Sequence, residues 1–168
     1  MNLPVTYLLK NATKTIKVNS PFFKVFFNIK DLPYIAVLDE DNHFYGILTH
    51  SRMLDMLSDA WDVKNGSYVL TVLSDNTRGN LIKMSKIVSK HTNMSSVMTL
   101  DAAAGELEGN FVRRTLFTLP AGVSDITMRT IVDKLQRKGF VVSEIEDLQA
   151  GMTIMSDVNP GVFIEHPV

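Results

Sequence analysis

Two short apolar segments separated by a polar turn constrain the possible fold of this chain more than any other feature. The first covers residues 34–38 directly after Leu32-Pro33, and the second covers residues 44–48 after a polar turn at residues 39–42. A nearly continuous apolar run of this length is typical of a strand that is buried on both faces. We therefore predict a buried hairpin, followed at once by a helix that Ser51 caps.

Helical patterns flank this hairpin. Ser20 before Pro21 is a helix-start signature, since a capping side chain precedes a residue preset for the first turn. The apolar residues that follow at helical spacing, and that we expect to pack, are Phe22, Phe23, Phe26, Phe27 and Ile29. Pro33 then ends this helix. With an extended lead-in at residues 16–18, the first domain is predicted to span residues 1–62.

The second domain is predicted to span residues 67–148, after a linker with turn chemistry at residues 62–66. Its apolar patterns alternate in the order strand, helix, strand, strand, helix, strand, which is a ferredoxin-like βαββαβ plan. Ser124 is expected to cap the second of these helices, and Gly139 occupies the usual stop position. The overall class is therefore α+β. Residues 149–168 are interpreted as a tail, either an arm ordered by partner contacts or a disordered segment.

Composition excludes several classes of protein. The 168 residues carry a formal net charge of −1, so no global field attracts a nucleic acid polymer or an anionic membrane. The chain has no cysteine, which excludes disulfides, thiolate catalysis and cysteine zinc sites. No apolar run approaches the ~18–20 residues that span a bilayer, and the first ten residues do not resemble a signal peptide. These features predict a soluble cytoplasmic protein.

Catalytic and metal motifs are not found in the sequence. The histidines are scattered, at His43, His50, His91 and His166. They form no zinc-binding spacing, and neither a phosphate-binding P-loop nor a nucleophile elbow is present. We predict a protein that is not an enzyme and has no cofactor or metal. The basic residues that could form a nucleic-acid surface are Lys83, Lys86, Lys90, Arg113 and Arg114. No aromatic row accompanies them, so we interpret them as solvated charges.

The first domain resembles a CBS motif, the small repeat named after cystathionine β-synthase. The matching segments are Thr15-Ile16 to Val18, Leu32-Pro33, Val37-Leu38-Asp39 and Gly46-Ile47-Leu48-Thr49. CBS motifs work in pairs, and this chain carries one recognisable motif. The resemblance therefore implies either a fragment that lacks the first repeat or two copies that pair, and we expect a homodimer.

The second domain is similar to an ACT domain, a regulatory βαββαβ module of amino-acid metabolism. The resemblance is carried by the loop at residues 75–79 and by Asn80-Leu81 after the first strand. Together the two domains resemble bacterial CBS–ACT proteins, a group that includes cyclic-di-AMP-binding members. The resemblance implies a ligand-sensing regulatory function.

The CBS resemblance also implies where a nucleotide binds. Adenine would lie beside Pro33, Tyr34 and Ala36 and against Thr15 and Ile16. Ribose and phosphate would approach the Gly46 to Thr49 segment, because Gly46 has no side chain to block them. His50 and Arg52 at the following helix start would complete the nucleotide-binding residues.

Arg52 departs from the CBS pattern. The family has an aspartate that chelates the ribose diol three residues after the threonine, where this chain has arginine. A guanidinium cannot accept two hydroxyl protons, but it binds phosphates through paired hydrogen bonds. This substitution favours cyclic di-AMP, whose sugars have no free diol, and AMP or ATP remains the alternative. The competing interpretations are a surface charge for Arg52, a core position for Tyr34 and no role for His50.

The ACT resemblance implies a second site. Its candidate amino-acid-binding residues are Asp75, Asn76, Gly79 and Asn80. The proline that usually precedes the family's glycine is Arg78 here. The competing interpretation is a glycine turn without a ligand, in a domain that serves dimerisation. The functions that stay open are therefore a nucleotide sensor, an amino-acid-responsive module and a dimeric scaffold with no ligand.

Overall fold

The computed structural model describes residues 14–75, 77–101 and 111–156, with the backbone alone for residues 152–156. The described residues form four helices and eight strands in two sheets, which confirms the predicted α+β class. The chain divides into two compact units, Met1–Leu57 and Ser58–Val168.

The first unit is built around a three-stranded sheet. Its elements are β1 (Thr15–Lys17), α1 (Phe22–Ile29), β2 (Tyr34–Leu38), β3 (Phe44–Thr49) and α2 (His50–Ala60), the last of which continues past the unit boundary. The central strand β2 pairs with β1 in parallel and with β3 in antiparallel orientation. The predicted hairpin and its two flanking helices are therefore present.

One face of this sheet forms the core of the unit. The buried side chains are Ile16, Ile29, Ile35 and Met53. The predicted burial of β2 on both faces is wrong, because Ile35 is its only buried residue and Tyr34 keeps 58% of its surface exposed. The expected packing of α1 is also only partly correct: Ile29 is buried, whereas Phe23 and Phe27 stay 69% and 64% exposed.

Both helices of the first unit begin differently from the prediction. The Ser20 hydroxyl accepts a hydrogen bond from Lys17 N (2.9 Å), and Pro21 is the N-cap of α1 without a side-chain cap bond. The cap of α2 is Thr49, whose Oγ1 accepts a hydrogen bond from Arg52 N at 3.1 Å. Ser51 therefore lies inside the first turn of α2 instead of capping it.

The second unit contains a five-stranded sheet. Its elements are β4 (Tyr68–Ser74), α3 (Asn80–Ser89), β5 (Ser96–Asp101), β6 (Arg113–Thr118), α4 (Asp125–Arg137), β7 (Val141–Asp147) and β8 (Met152–Ser156). The strand order is β5-β6-β4-β7-β8, and all neighbours are antiparallel. The strand β8 lies in the segment interpreted as a tail, where no strand was predicted.

The core of the second unit lies between the two helices and one sheet face. Its fully buried side chains include Leu70 and Val72 of β4, Phe117 of β6 and Ile131 of α4. Ser124 caps α4 as predicted, because its Oγ accepts a hydrogen bond from Thr127 N at 3.2 Å. None of the described helices is both long and apolar enough to cross a bilayer.

Candidate functional site

Four of the nine predicted nucleotide-binding residues lie on one face of the first sheet. Thr15 pairs with Ala36 across β1 and β2, and Tyr34 pairs with Thr49 across β2 and β3. Cross-strand partners share a face of a sheet. We call this surface, with Ile47 opposite Ala36, the open sheet face, because it is the face opposite the core.

The start of α2 adjoins the open sheet face. His50 N donates a hydrogen bond to the Pro33 carbonyl (2.9 Å), which ties the helix start to the beginning of β2. His50 and Arg52 are exposed, and the first turn of α2 has no acidic residue. The Arg52 side chain forms no ion pair with any described residue. A cation at a helix start is unfavourable unless an anion is present, so this arrangement suits a bound anion.

Two predicted residues lie on the opposite face of the sheet. Ile16 is 4% exposed and belongs to the core, so its side chain does not reach the open sheet face. Gly46 pairs with Val37 and borders a cavity of about 440 Å³ on the core side. A Cβ atom at Gly46 would meet no other atom within 4 Å, so the space beside this glycine is open.

This cavity lies between the two helices of the first unit. Its helix residues are Phe22 and Val25 of α1 and Met53 and Met56 of α2. Sequence reasoning missed it, although apolar residues at helical spacing beside a strand glycine are a usable signal. It is lined by two of the predicted nucleotide-binding residues, Ile16 and Gly46, and not by Arg52, His50 or Tyr34.

Lys17 also borders the cavity, but its ammonium group is already engaged. Its Nζ donates to the carbonyls of Asp39 (2.6 Å) and Glu40 (3.2 Å) and to Asn42 Oδ1 (2.6 Å). An ammonium group has three donors, and here all three have acceptors. Lys17 therefore holds the β2–β3 turn and is not available to a ligand in this state.

The predicted amino-acid site lies on the β4–α3 loop of the second unit. The Asp75 carboxylate accepts hydrogen bonds from Thr77 N (3.1 Å), Thr77 Oγ1 (2.8 Å) and Asn80 Nδ2 (2.6 Å). The Thr77 hydrogen bonds, followed by that of Asn80, lower the pKa of Asp75. Gly79 is the N-cap of α3 with a φ of 91°, a conformation that favours glycine. Asn76 lies outside the described residues.

Two cavities adjoin this loop. The larger, about 510 Å³, reaches Lys83, Phe111 and the Lys138–Phe140 turn, and the smaller, about 110 Å³, reaches Arg113 and Thr115. Thr115 is completely buried, and its Oγ1 has no hydrogen-bond partner among the described residues. A buried hydroxyl without a partner is uncommon, so it marks a place for a polar ligand or a water molecule.

The described residues contain no cluster of three or more His, Asp or Glu side chains that could hold a metal ion. The basic residues of the second unit do not form one solvated surface. Arg114 is only 4% exposed, which contradicts its interpretation as a solvated charge, and Arg113 pairs with Asp101 at 2.7 Å.

Two comparisons with known proteins gave no match. Neither a scan against models of protein families nor a search of curated proteins matched this chain.

Proposed function

We propose that this chain is a non-enzymatic regulatory protein that binds an adenine nucleotide, with cyclic di-AMP as the preferred ligand, on the open sheet face of its first unit. The proposal develops the resemblance to CBS–ACT proteins. The observation that carries it is that four predicted residues share the open sheet face: Thr15, Tyr34, Ala36 and Thr49. The exposed Arg52 lies beside this face, in the first turn of α2.

Each part of this surface suits one part of the nucleotide. The exposed ring of Tyr34 offers a flat face on which a purine can stack, since base–aromatic stacking tolerates any base. The hydroxyls of Thr15 and Thr49 supply hydrogen bonds at its edge. Arg52 and the backbone N–H groups of α2 favour a phosphate.

Arg52 determines which adenine nucleotide the proposed site favours. AMP and ATP carry a free ribose diol, which an acceptor such as a carboxylate recognises, and no acid stands in the first turn of α2. Cyclic di-AMP has no such diol and presents two anionic phosphodiesters. A guanidinium therefore matches the cyclic dinucleotide better than the mononucleotides.

The site needs a second copy of the chain to become a pocket. Small-molecule sites bury most of the ligand surface, and one open sheet face covers only one side. Two copies that face each other would enclose the ligand, and a two-fold symmetric dinucleotide fits a two-fold axis between them. This arrangement gives the expected homodimer a functional reason.

Calorimetric titration of the full chain with cyclic di-AMP, AMP and ATP tests the proposal. Arg52→Ala is expected to weaken cyclic di-AMP binding by about 10–150-fold, because a hydrogen bond to a charged group contributes about 1.5–3 kcal/mol. Lys30→Ala, which removes another exposed cation of the first unit, should leave the affinity unchanged. Tight ATP binding without cyclic di-AMP binding would contradict the proposal.

A second candidate function is an amino-acid-responsive module at the β4–α3 loop. It is favoured by the buried Thr115 hydroxyl beside the smaller of the two cavities that border Asp75 and Asn80. A thermal-shift screen with the amino acids tests it, since a ligand that binds the folded state raises the melting temperature. Asn80→Ala should abolish such a shift, and Asn65→Ala, an exposed amide outside the loop, should preserve it.

A further inference from the structure

We propose that Asn65-Gly66 is a latent deamidation site, which the folded chain protects and which the opening of one turn makes reactive. This is the one Asn-Gly pair in the sequence of 168 residues. It lies at the end of the turn at residues 62–66, which belongs to the second unit. The proposal goes beyond the proposed function, because it requires neither a ligand nor a second copy of the chain.

Deamidation of this pair consumes only water. After a base removes its proton, the Gly66 nitrogen attacks Cγ of Asn65, the Cγ–Nδ2 bond breaks, and the amide group leaves as ammonia. Water then cleaves one of the two carbonyl C–N bonds of the succinimide ring, which gives aspartate or isoaspartate. Glycine favours the attack because it has no side chain to crowd the nitrogen. The reaction therefore depends on access to the Gly66 N–H group.

Two hydrogen bonds hold Gly66 in a form that cannot react. Its N–H group donates to the Asp62 carbonyl oxygen (2.8 Å), and its carbonyl accepts a hydrogen bond from Gln149 Nε2 (2.7 Å). Gly66 is buried, whereas Asn65 is exposed. An amide proton in a buried hydrogen bond leaves only after local opening, as in hydrogen exchange. Water thus reaches the Asn65 amide, but the attacking nitrogen forms only when the turn opens.

The packing around Gly66 also opposes ring closure. A Cβ atom there would lie 2.9 Å from the Asp62 carbonyl oxygen, 2.9 Å from Thr118 Cγ2 and 3.0 Å from Leu148 Cδ1. The closed turn therefore has no room for the backbone shift that brings the Gly66 nitrogen to Asn65 Cγ. The hydrogen bonds and the packing together make the reaction depend on opening of the turn.

Deamidation keeps the turn from closing again. In the folded chain, Asn65 Nδ2 donates a hydrogen bond to Asp62 Oδ1 (3.3 Å). The product has a carboxylate at this position, which has no proton to donate and repels the Asp62 carboxylate. Isoaspartate also adds one carbon to the main chain directly before the buried Gly66. A single opening of the turn is thereby converted into a permanent change.

Peptide mass spectrometry of the full chain, incubated at mildly alkaline pH in buffer or in guanidinium chloride, tests the proposal. Asn65 is expected to deamidate at least about tenfold more slowly in buffer than in denaturant, because the closed turn must open first. Asn65→Gln should remove the reaction in both conditions, since the longer side chain cyclises far more slowly. Equal rates in buffer and in denaturant, or an unchanged Asn65 in denaturant, would overturn the proposal.

Gln149→Ala identifies the turn as the element that must open. The variant loses the hydrogen bond to the Gly66 carbonyl and should deamidate about 2–10-fold faster in buffer, the effect of one ordinary hydrogen bond on the opening equilibrium. Its rate in denaturant should equal that of the wild type. Gln136→Ala, at an exposed glutamine of α4, should change neither rate. A wild-type rate in buffer for Gln149→Ala would contradict control by this turn.

Hydrogen exchange of the Gly66 amide tests whether the product keeps the turn open. Asn65→Asp carries the charge of the aspartate product and should exchange this amide at least several-fold faster than the wild type, because two carboxylates face each other in the closed turn. An unchanged exchange rate at Gly66 would contradict the permanent opening.

Discussion

At the scale of single residues, Thr49 explains why the candidate site has its present form. It is the last residue of β3, and its hydroxyl caps α2 by accepting a hydrogen bond from Arg52 N. The strand therefore leads into the helix without a loop, and Arg52 is held in the first turn beside the open sheet face. The sequence indicated these residues together because they are adjacent, but it assigned the cap to Ser51. Either hydroxyl satisfies the capping pattern, and only the backbone geometry chooses between them.

Gly66 is a residue at which the structure predicts a large effect of a small change. A methyl group there would lie 2.9 Å from the Asp62 carbonyl oxygen and 2.9 Å from Thr118 Cγ2. Gly66→Ala is expected to lower the free energy of unfolding by about 1–3 kcal/mol, because the backbone must shift to make room. Urea denaturation measures this loss. Gly46→Ala is the matched control, since it meets open space and should change stability by less than about 1 kcal/mol.

At the scale of the elements, local patterns determined most of what the sequence could predict. The α+β class followed from apolar periodicity, and Ser124 gave a correct helix start because its cap is local. The strand β8 was not predicted, because it forms by pairing with β7 and its own composition does not indicate a strand. The exposure of Phe23 and Phe27 could not be predicted either, because periodicity identifies an apolar face without showing what covers it.

The β4–α3 loop carries a prediction about pH. The lowered pKa of Asp75 means that its hydrogen bonds stabilise the folded state above the pKa of the unfolded chain. This contribution is lost as the pH falls through the lowered pKa of the folded state. Thr77→Ala should raise the pKa of Asp75 towards its ordinary range and reduce the loss of stability in acid. Carboxyl titration by nuclear magnetic resonance measures the shift, and Thr99→Ala on the exposed β5 surface should leave it unchanged. An unchanged Asp75 pKa in the Thr77→Ala variant would contradict this explanation.

At the scale of the whole molecule, the two units differ in how much apolar surface they bury. The described part of the first unit buries four core side chains, whereas that of the second buries twelve. Hydrophobic stabilisation scales with buried apolar area, so the described core of the first unit supplies less of it than that of the second.

This difference predicts the order of unfolding. In a urea titration followed by nuclear magnetic resonance, the native amide signal of Gly46 should disappear at a lower urea concentration than that of Gly139. Gly46 lies in the first unit, which has the smaller described core, and Gly139 lies in the second. Ile35→Ala should lower the Gly46 midpoint, and a buried truncation of this kind costs about 2–5 kcal/mol. Simultaneous loss of both signals, or loss of Gly139 first, would contradict the prediction.

The hydrogen bonds of Lys17 have a consequence for how the first strand is anchored. The strand β1 has three residues and pairs in parallel, so no hairpin keeps it in register. The Lys17 ammonium group supplies a connection instead, because it donates hydrogen bonds to the β2–β3 turn. Acetylation of this amine would remove two of its three protons and the charge, and most of the hydrogen bonds to the turn would be lost. The edge of the sheet would then be released from its turn by one enzymatic modification, although every apolar contact beneath it remained intact.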